Sequence, residues 1–439
     1  MLLLLASLPA LIGLSYVFGI WDPTSDDSDD SDDSDAGTDT EVTEGTDFIG
    51  TDNIDILGGT AFADTISGLG NADLISGNGG DDILNGGDGD DLISGNGGND
   101  TIDGGTGNDD IFGGYDNDTV TGGSGDDTIY GQQGDDTLYG NIGDDQIGGG
   151  AGADIISGGL GNDMIVGGEG ADTLDGQGDD DIIFGGSGDD VITGGEGDDT
   201  LLGQGGSDTI TAGFSDDQVA GGYGDDHILL GDGNDTLGYD DVYLDPGDDF
   251  ARGGEGADTM IDRLGANEIH GDEGSDIISV VDDISDKGTG DIVDGGFGVD
   301  MIYADSGDTV TGGEGAATIV AFQGSQDGVV TVTDFDPAID ALELILEGTL
   351  PEDIIVDITD VEDGVMYTYN GVDVAFIQNV TAAQMATASV SFADAPSSTF
   401  PELGSASGVA QPDIAPDTDT TPTTDTPVTD TDTDVITPG

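Results

Sequence analysis

Between Gly50 and Gly238 the apolar positions recur every nine residues without a slip. Written from Gly86 the unit is Gly-Gly-Asp-Gly-Asp-Asp-Leu-Ile-Ser, and from Gly122 it is Gly-Gly-Ser-Gly-Asp-Asp-Thr-Ile-Tyr. The span of 189 residues holds 21 units in one register. Position eight is Leu, Ile or Val in every unit, from Leu57 through Ile93 to Leu237. Its neighbours vary, and two-residue alternation on a short strand turns such a residue inward. Glycines at positions one, two and four supply backbone with φ > 0 for a turn. The pattern predicts a turn over positions one to six and a strand over seven to nine. Two units then make a coil of 18 residues, with units i and i+2 stacked on the same edge. A fixed short period means a solenoid, so the expected class is an all-β parallel β-solenoid. At ~4.8 Å per coil, the roughly ten coils of this span make a rod about 50 Å long.

Outside that span the pattern changes five times. Leu2 to Trp21 carries no charged side chain, and at ~1.5 Å per residue it is long enough to cross a bilayer as a helix. Residues 1–21 read as a membrane-associated helix or an export segment; no Lys or Arg precedes them and no Ala-x-Ala site follows. Residues 22–47 are Ser/Asp repeats without a basic residue, expected as a disordered, solvated linker. Residues 239–320 keep the repeat irregularly. Tyr239 to Leu244 reads as an inserted loop, and clear units return at Gly253, Gly271 and Gly295. Residues 321–394 show ordinary short strands at 329–335, 341–346, 354–359, 365–369 and 372–377. Turns are expected at Asp363-Gly364 and Asn370-Gly371, and Thr381 is placed to cap a short helix through Met385. The Thr/Asp/Pro-rich residues 395–439 read as a disordered tail.

Charge then directs the chemistry. Three basic residues face 96 acidic ones, a net charge of −93, which excludes nucleic acid and anionic lipid as partners. There is no Cys, so neither a disulfide scaffold nor a Cys-based zinc site exists. Position six is Asp in all 21 units. Stacking would set Asp91, Asp109 and Asp127 along one edge and Asp100, Asp118 and Asp136 along the other. Like charges so close are unfavourable unless a cation sits between them. Ca²⁺ suits such a gap, because it takes six to eight oxygens, carbonyls included, with tolerant geometry. Mg²⁺ demands a near-octahedral shell and keeps its waters.

The unit Gly-Gly-x-Gly-x-Asp-x-apolar-x resembles the repeats-in-toxin (RTX) family over roughly Phe48 to Val320. That resemblance implies a right-handed parallel β-roll with several Ca²⁺ ions between stacked coils. It implies as side-chain ligands Asp82, Asp91, Asp100, Asp109, Asp118, Asp127, Asp136, Asp145, Asp154, Asp163, Asp172, Asp181, Asp190, Asp199, Asp208, Asp226, Asp235, Asp258, Asp276 and Asp300, with loop carbonyls completing each site. If each site uses units i and i+2, the 21 units allow at most 19 ions. Residues 321–394 resemble the β-rich cap and secretion region that follows RTX rolls in proteins exported by type I machinery.

Some positions depart from the unit. Asn53, Phe62 and Asn71 hold position four in the first three units, which read as a capping region with weakened sites. Asp116 and Ser215 hold it later and predict imperfect coordination. Ala317 replaces the position-six Asp and should end the ladder. Arg252, Arg263 and Lys287 all lie in the irregular part and read as neutralising edges that lack ions. His227 and His270 read as surface strand residues. No Gly-x-Ser-x-Gly elbow, phosphate loop or HExxH helix occurs, so no enzyme is expected. The expectation is a calcium-binding, extracellular or cell-surface bacterial protein with a structural or adhesive role and a surface or matrix partner. The alternatives are the non-catalytic roll of a secreted epimerase or protease, or an ice-binding roll. Thr65, Thr101, Thr119, Thr128 and Thr137 suggest an ice-binding ladder, but Leu74, Ile83, Leu92 and Gln146 interrupt it.

Overall fold

The structure, a computed structural model, describes residues 45–238, 247–262, 264–281, 290–322, 328–347 and 356–395. The expectations for residues 1–44, for Tyr239–Leu244, Arg263 and Lys287, and for the tail beyond residue 395 lie outside the described residues. Among the described residues no helix is long and apolar enough to cross a membrane.

The chain winds into a parallel β-solenoid of about 15 coils. Alternate units fall into two sheets. In the first, Thr101 pairs with Thr119 and Thr119 with Thr137; in the second, Asp110 pairs with Thr128 and Thr128 with Gln146. Each step is 18 residues and in register, so every position stacks on its own kind. The core follows from this. Ile93, Ile111, Ile129 and Ile147 are fully buried in one column and Ile102, Val120, Leu138 and Ile156 in the other. Each such side chain contributes about 1.5–3 kcal/mol of burial, mostly against its own rung and the two adjacent ones.

Two expectations about the unit are corrected. The regular strands run six residues, as in Thr128–Gln133 and Thr137–Ile142, and cover positions seven to nine and then one to three of the next unit. Gly-Gly does not leave the sheet, because in-register stacking pairs it with Gly-Gly of the next coil, as Gly105 with Gly123. Only positions four to six turn. Within the Gly-rich half of the unit, positive φ falls at positions two and four, as at Gly87 (111°) and Gly89 (138°). The glycine at position one is needed for space instead.

The insertions do not break the ladder of coils. Phe250–Gly256 stacks on His227–Asp232, and Glu268–Gly274 stacks on it in turn. The coil simply lengthens, so that Asp226 and Asp249 are neighbours at a separation of 23 residues instead of 18.

The region after residue 320 continues the same sheets. Val330–Val332 stacks on Thr309–Thr311, Ala341–Glu347 on Thr318–Phe322, and Ser389–Ala395 on Ala341–Glu347. Val356–Val361, Gly364–Tyr369 and Val372–Gln378 form antiparallel hairpins, the last strand also lying parallel to Val330–Val332. Asn370 (φ 51°) and Gly371 (φ 82°) make the second turn as expected for Asn-Gly. Thr381 caps the helix Ala382–Met385 in a reciprocal box with Gln384. Val332, Leu344, Tyr367 and Met385 belong to the same apolar cluster as Ile66 and Ile129. The apolar side chains after residue 320 extend the column of the roll.

Candidate metal centres along the two edges

Alternation carries three residues of each unit inward: Asp at position six, the aliphatic residue at eight, and the position-one residue of the next unit, which is Gly except at Ala212 and Leu230. The aspartates are consequently almost fully buried, at 1–3 % exposure from Asp64 to Asp235. Stacking sets them in two files. In each file the backbone N–H of one Asp donates to Oδ1 of the Asp one coil later. Asp118 N–H donates to Asp136 Oδ1 at 2.7 Å, and Asp136 N–H to Asp154 Oδ1 at 2.8 Å. This ladder fixes the carboxylate plane and leaves Oδ2 aimed across the turn.

Oδ2 of Asp82, of every position-six Asp from there through Asp199, and of Asp235, Asp258 and Asp276 is buried and meets no donor. Asp208 and Asp226 hold the same pose, with Oδ1 accepting from Asp190 and Asp208 at 2.8 Å. A carbonyl oxygen shares that space. A Cβ built on Gly140 would lie 2.2 Å from Asp145 Oδ2 and 2.7 Å from the Gly158 carbonyl oxygen. On Gly149 the distances are 2.2 Å to Asp154 Oδ2 and 2.7 Å to Gly167 O. Each position-one glycine thus keeps open a small cradle into which one carboxylate and one carbonyl oxygen of successive coils project.

A buried carboxylate oxygen without a partner is costly, and the acidity of these groups shows it. Desolvation pushes Asp118, Asp181 and Asp217 up to about 8, and Asp100, Asp145 and Asp154 to about 7. The N–H bond to Oδ1 opposes this, and neighbouring aspartates of the file add to it. A divalent cation removes both penalties at once. The residues present fit Ca²⁺: the donors are hard oxygens, part of them carbonyls, repeated along a tolerant loop. Among the described residues no group of three or more His, Cys, Asp or Glu side chains gathers at one point. The cradle instead draws on single carboxylates and main-chain carbonyls.

The structure places Asp300 at the margin of this series: Asp276 N–H reaches its Oδ1 at 3.1 Å, and the next coil offers Ala317. It also adds residues that the unit pattern missed. Asp73 and Asp217 have the same buried, partnerless Oδ2. Ser215 (φ 85°), Asp116 (71°) and Asn71 (67°) all adopt the left-handed turn that Gly would take. Their departure at position four therefore leaves the geometry of Asp217, Asp118 and Asp73 intact, contrary to the expected imperfection there. Asp249, Asn267, Asp291 and Asp308 continue one file past the insertion. Asp340, whose Oδ1 accepts from Ala317 N–H at 3.0 Å, resumes the other. The legible signal is Asp-x-apolar, as in Asp249-Phe250-Ala251, Asp291-Ile292-Val293 and Asp340-Ala341-Leu342, without the full nine-residue unit.

A second file runs outside the first. The N–H of Asn117 donates to Asn99 Oδ1 at 3.0 Å and that of Asp135 to Asn117 Oδ1 at 2.9 Å, at position five and in the opposite direction. These bonds brace the turns without burying a charge.

Of the expected neutralising cations, Arg252 pairs with Asp272 on the exposed face of the first sheet, its Nε 2.8 Å from Oδ2, and not at an edge. His227 stacks on Phe250 at 4.8 Å, and His270 Nε2 lies 3.1 Å from Glu268 Oε1. Both histidines are surface strand residues. The fold also sorts the threonines. Thr65, Thr101, Thr119, Thr137, Thr173 and Thr209 form one outward column of the first sheet, broken by Ile83, Ile155 and Val191. Leu74, Leu92 and Gln146 belong to the other sheet and do not interrupt it.

The family model described as RTX calcium-binding nonapeptide repeat (4 copies) matches this chain in nine windows, from 49–84 through 202–237 and again at 243–278, together more than half of its length. Among solved structures the chain is similar to a hyperactive, Ca²⁺-dependent, β-helical antifreeze protein from an Antarctic bacterium. The identity is 20 % over 69 % of this chain and 88 % of that one, with a TM-score of 0.29. No curated protein matches.

Proposed function

The chain belongs to the RTX calcium-binding nonapeptide-repeat family, and we propose that it is a structural or adhesive rod, outside the cell or on its surface, that becomes rigid only when calcium fills its two edges. The repeats bind several Ca²⁺ ions, as the family does. The observation that carries the reading is the series of buried, partnerless Oδ2 atoms from Asp73 through Asp199, with those of Asp217, Asp235, Asp258 and Asp276.

When bound, calcium supplies the positive charge that these carboxylates lack. The chain's own residues do the rest. Oδ1 is pinned by the N–H of the preceding coil, which orients Oδ2 into the cradle. Position-one glycines such as Gly140 keep the cradle clear, and the position-eight column excludes water beneath it. We assign Asp82, Asp91, Asp100 and the succeeding position-six aspartates through Asp276 as side-chain ligands, together with Asp73; Asp217 and Asp235, whose units carry Ala212 and Leu230 in place of the position-one glycine, are the weakest of the series. Asp300 serves at most as a terminal ligand.

The extracellular placement follows from the load. A chain of charge −93 resists compaction without counter-ions. Loops of this kind with single carboxylates belong to the weak calcium range typical of extracellular modules, about 10⁻⁴–10⁻³ M. Such a roll folds where calcium is abundant. The rod then presents regular outer faces suited to holding a surface or matrix at a distance. Antibody labelling of intact, unpermeabilised cells and of the medium tests the placement. Signal there is expected; signal appearing only after lysis contradicts it.

The threonine column of the first sheet gives one specific reason to keep ice binding as a second reading. It lacks a matching neighbour, because the adjacent outward column carries Asp103, Tyr139 and Asp175. Thermal hysteresis measured with calcium present decides this reading.

A further inference from the structure

Both files of aspartates end, in both directions, on a carboxylate whose second oxygen is already taken by the protein. At the N-terminal end the Thr51 amide and hydroxyl reach Asp55 Oδ2 at 2.6 and 2.9 Å. The Thr60 amide and hydroxyl reach Asp64 Oδ2 at 2.5 and 3.0 Å. At the C-terminal end the Asp305 amide donates to Asp308 Oδ2 at 2.7 Å, and the Asp336 amide to Asp340 Oδ2 at 2.6 Å. Oδ1 of Asp64, Asp308 and Asp340 keeps the usual bond, from Thr46, Asp291 and Ala317. None of the four appears among the buried oxygens that lack a partner, whereas Asp73, Asp82 and the position-six aspartates from Asp91 through Asp199 do.

The turn backbone differs between the two cases. In an interior coil the six-residue strand runs on to position three, as in Thr128–Gln133 before Asp136, and stays paired with the coils on both sides. The amide four residues before the aspartate is held in the sheet. Before the terminal aspartates the strands stop at Ile49, Gly58, Ala304 and Val332; Leu74–Ser76 stops as early before Asp82, whose Oδ2 still meets no donor, so it is the course of the following turn that decides. The amide three or four residues upstream then turns into the loop and occupies the place that faces Oδ2. Thr51 and Thr60, at a position usually held by Gly, add a hydroxyl to the same oxygen.

We propose that Asp55, Asp64, Asp308 and Asp340 are calcium-independent caps, in which N–H and O–H donors of the same turn stand where a cation stands in the interior. The ion files then begin at Asp73 and Asp82 and close on a rung that needs no ion. The roll's ends are finished by the chain and not by a half-coordinated metal. This rests on the reading of the interior aspartates as calcium ligands.

The test compares Asp64→Asn with Asp136→Asn in the full chain, reading bound calcium per chain by equilibrium dialysis and elemental analysis, and the thermal midpoint in saturating calcium. Asp136→Asn is expected to lose at least one ion. Asp64→Asn is expected to lose none, while its midpoint falls because two donors exchange a charged acceptor for a neutral one. Loss of an ion by Asp64→Asn overturns the caps; full calcium retention by Asp136→Asn overturns the ligand reading on which they rest. Thr60→Val, which removes only the hydroxyl, guards against misfolding of the first variant. It is expected to keep the full ion count, and any change in that count overturns the proposal.

Discussion

Gly140→Ala should close one calcium cradle while leaving the backbone unstrained. The new Cβ would stand 2.2 Å from Asp145 Oδ2 and 2.7 Å from the Gly158 carbonyl oxygen. Gly140 does not have the left-handed φ of its neighbours at position two, so the effect is one of space. Both contacts are with groups fixed by the coil: Asp145 Oδ1 is held by Asp127 N–H at 2.7 Å, and Gly158 lies within a strand. Overpacking of this kind costs about 1–3 kcal/mol. The methyl group also excludes an ion, and at a calcium concentration of 100 times its dissociation constant a lost site forfeits about 2.7 kcal/mol more. Together the loss is about 4–6 kcal/mol in saturating calcium. Gly97→Ala is the control: nothing lies within 4 Å of its Cβ, and surface changes of that sort stay within about 0.5 kcal/mol. Denaturant unfolding in calcium, with bound calcium counted in parallel, separates the two. If Gly140→Ala binds as many ions as Gly97→Ala and unfolds at the same midpoint, the cradle is not where the metal sits.

Further outcomes follow from the same geometry. Ile147→Ala empties a fully buried site in the core column and should cost about 2–5 kcal/mol in guanidinium unfolding; a cost below 1 kcal/mol would mean that the column does not carry the core. The aspartates' folded-state values of about 6–8 lie above the ordinary 3.8, so the ion-free roll binds extra protons. Its stability is fully present below about pH 4 and is lost as pH rises through 6–8. In chelator the β signal in circular dichroism should therefore fall from pH 4 to pH 8, and a rise over that range would contradict the burial argument. Asn267 stands in the inner file between Asp249 and Asp291, with Nδ2 donating to the Leu264 carbonyl at 3.2 Å, so Asn267→Asp should raise the calcium count by one, and an unchanged count would place that rung outside the series. Arg252→Ala breaks an exposed pair and should cost no more than about 1 kcal/mol, less in high salt; a larger, salt-independent loss would give Arg252 a further role.

Much of this was legible because the repeat makes local and global signals agree. A column of Ile and Leu at position eight and Asp at position six is enough to set the coil length, the two sheets and the two edges. Periodicity alone did not show how far the strands extend. Gly-Gly reads as turn by composition, yet its in-register stacking, Gly105 on Gly123, makes it strand. The first glycine reads as turn for the same reason, yet in the fold its hydrogen faces an oxygen of the Asp at position six, as Gly140 faces Asp145. The insertions hid Asp249, Asp291 and Asp340, because a strict nine-residue unit was required where the fold asks only for an aspartate two residues before an inward apolar side chain. The threonine column was blurred by reading both sheets as one sequence. In the region after residue 320 the turns and the Thr381 cap were readable from local chemistry. Its fusion with the roll was not, because it depends on pairings such as Val310 with Val332 and Thr318 with Ala341.

The central claim is that calcium, and not the apolar column alone, holds the roll together. A calcium titration of the full chain from chelator, followed by far-UV circular dichroism at pH 7.5, tests it most directly. The chelated chain should lack most of its β signal, because some twenty buried carboxylates per chain would stand uncompensated, and calcium should restore that signal cooperatively as neighbouring rungs share their ions. Full β-structure in chelator, with no gain in stability when calcium is added, would contradict the account.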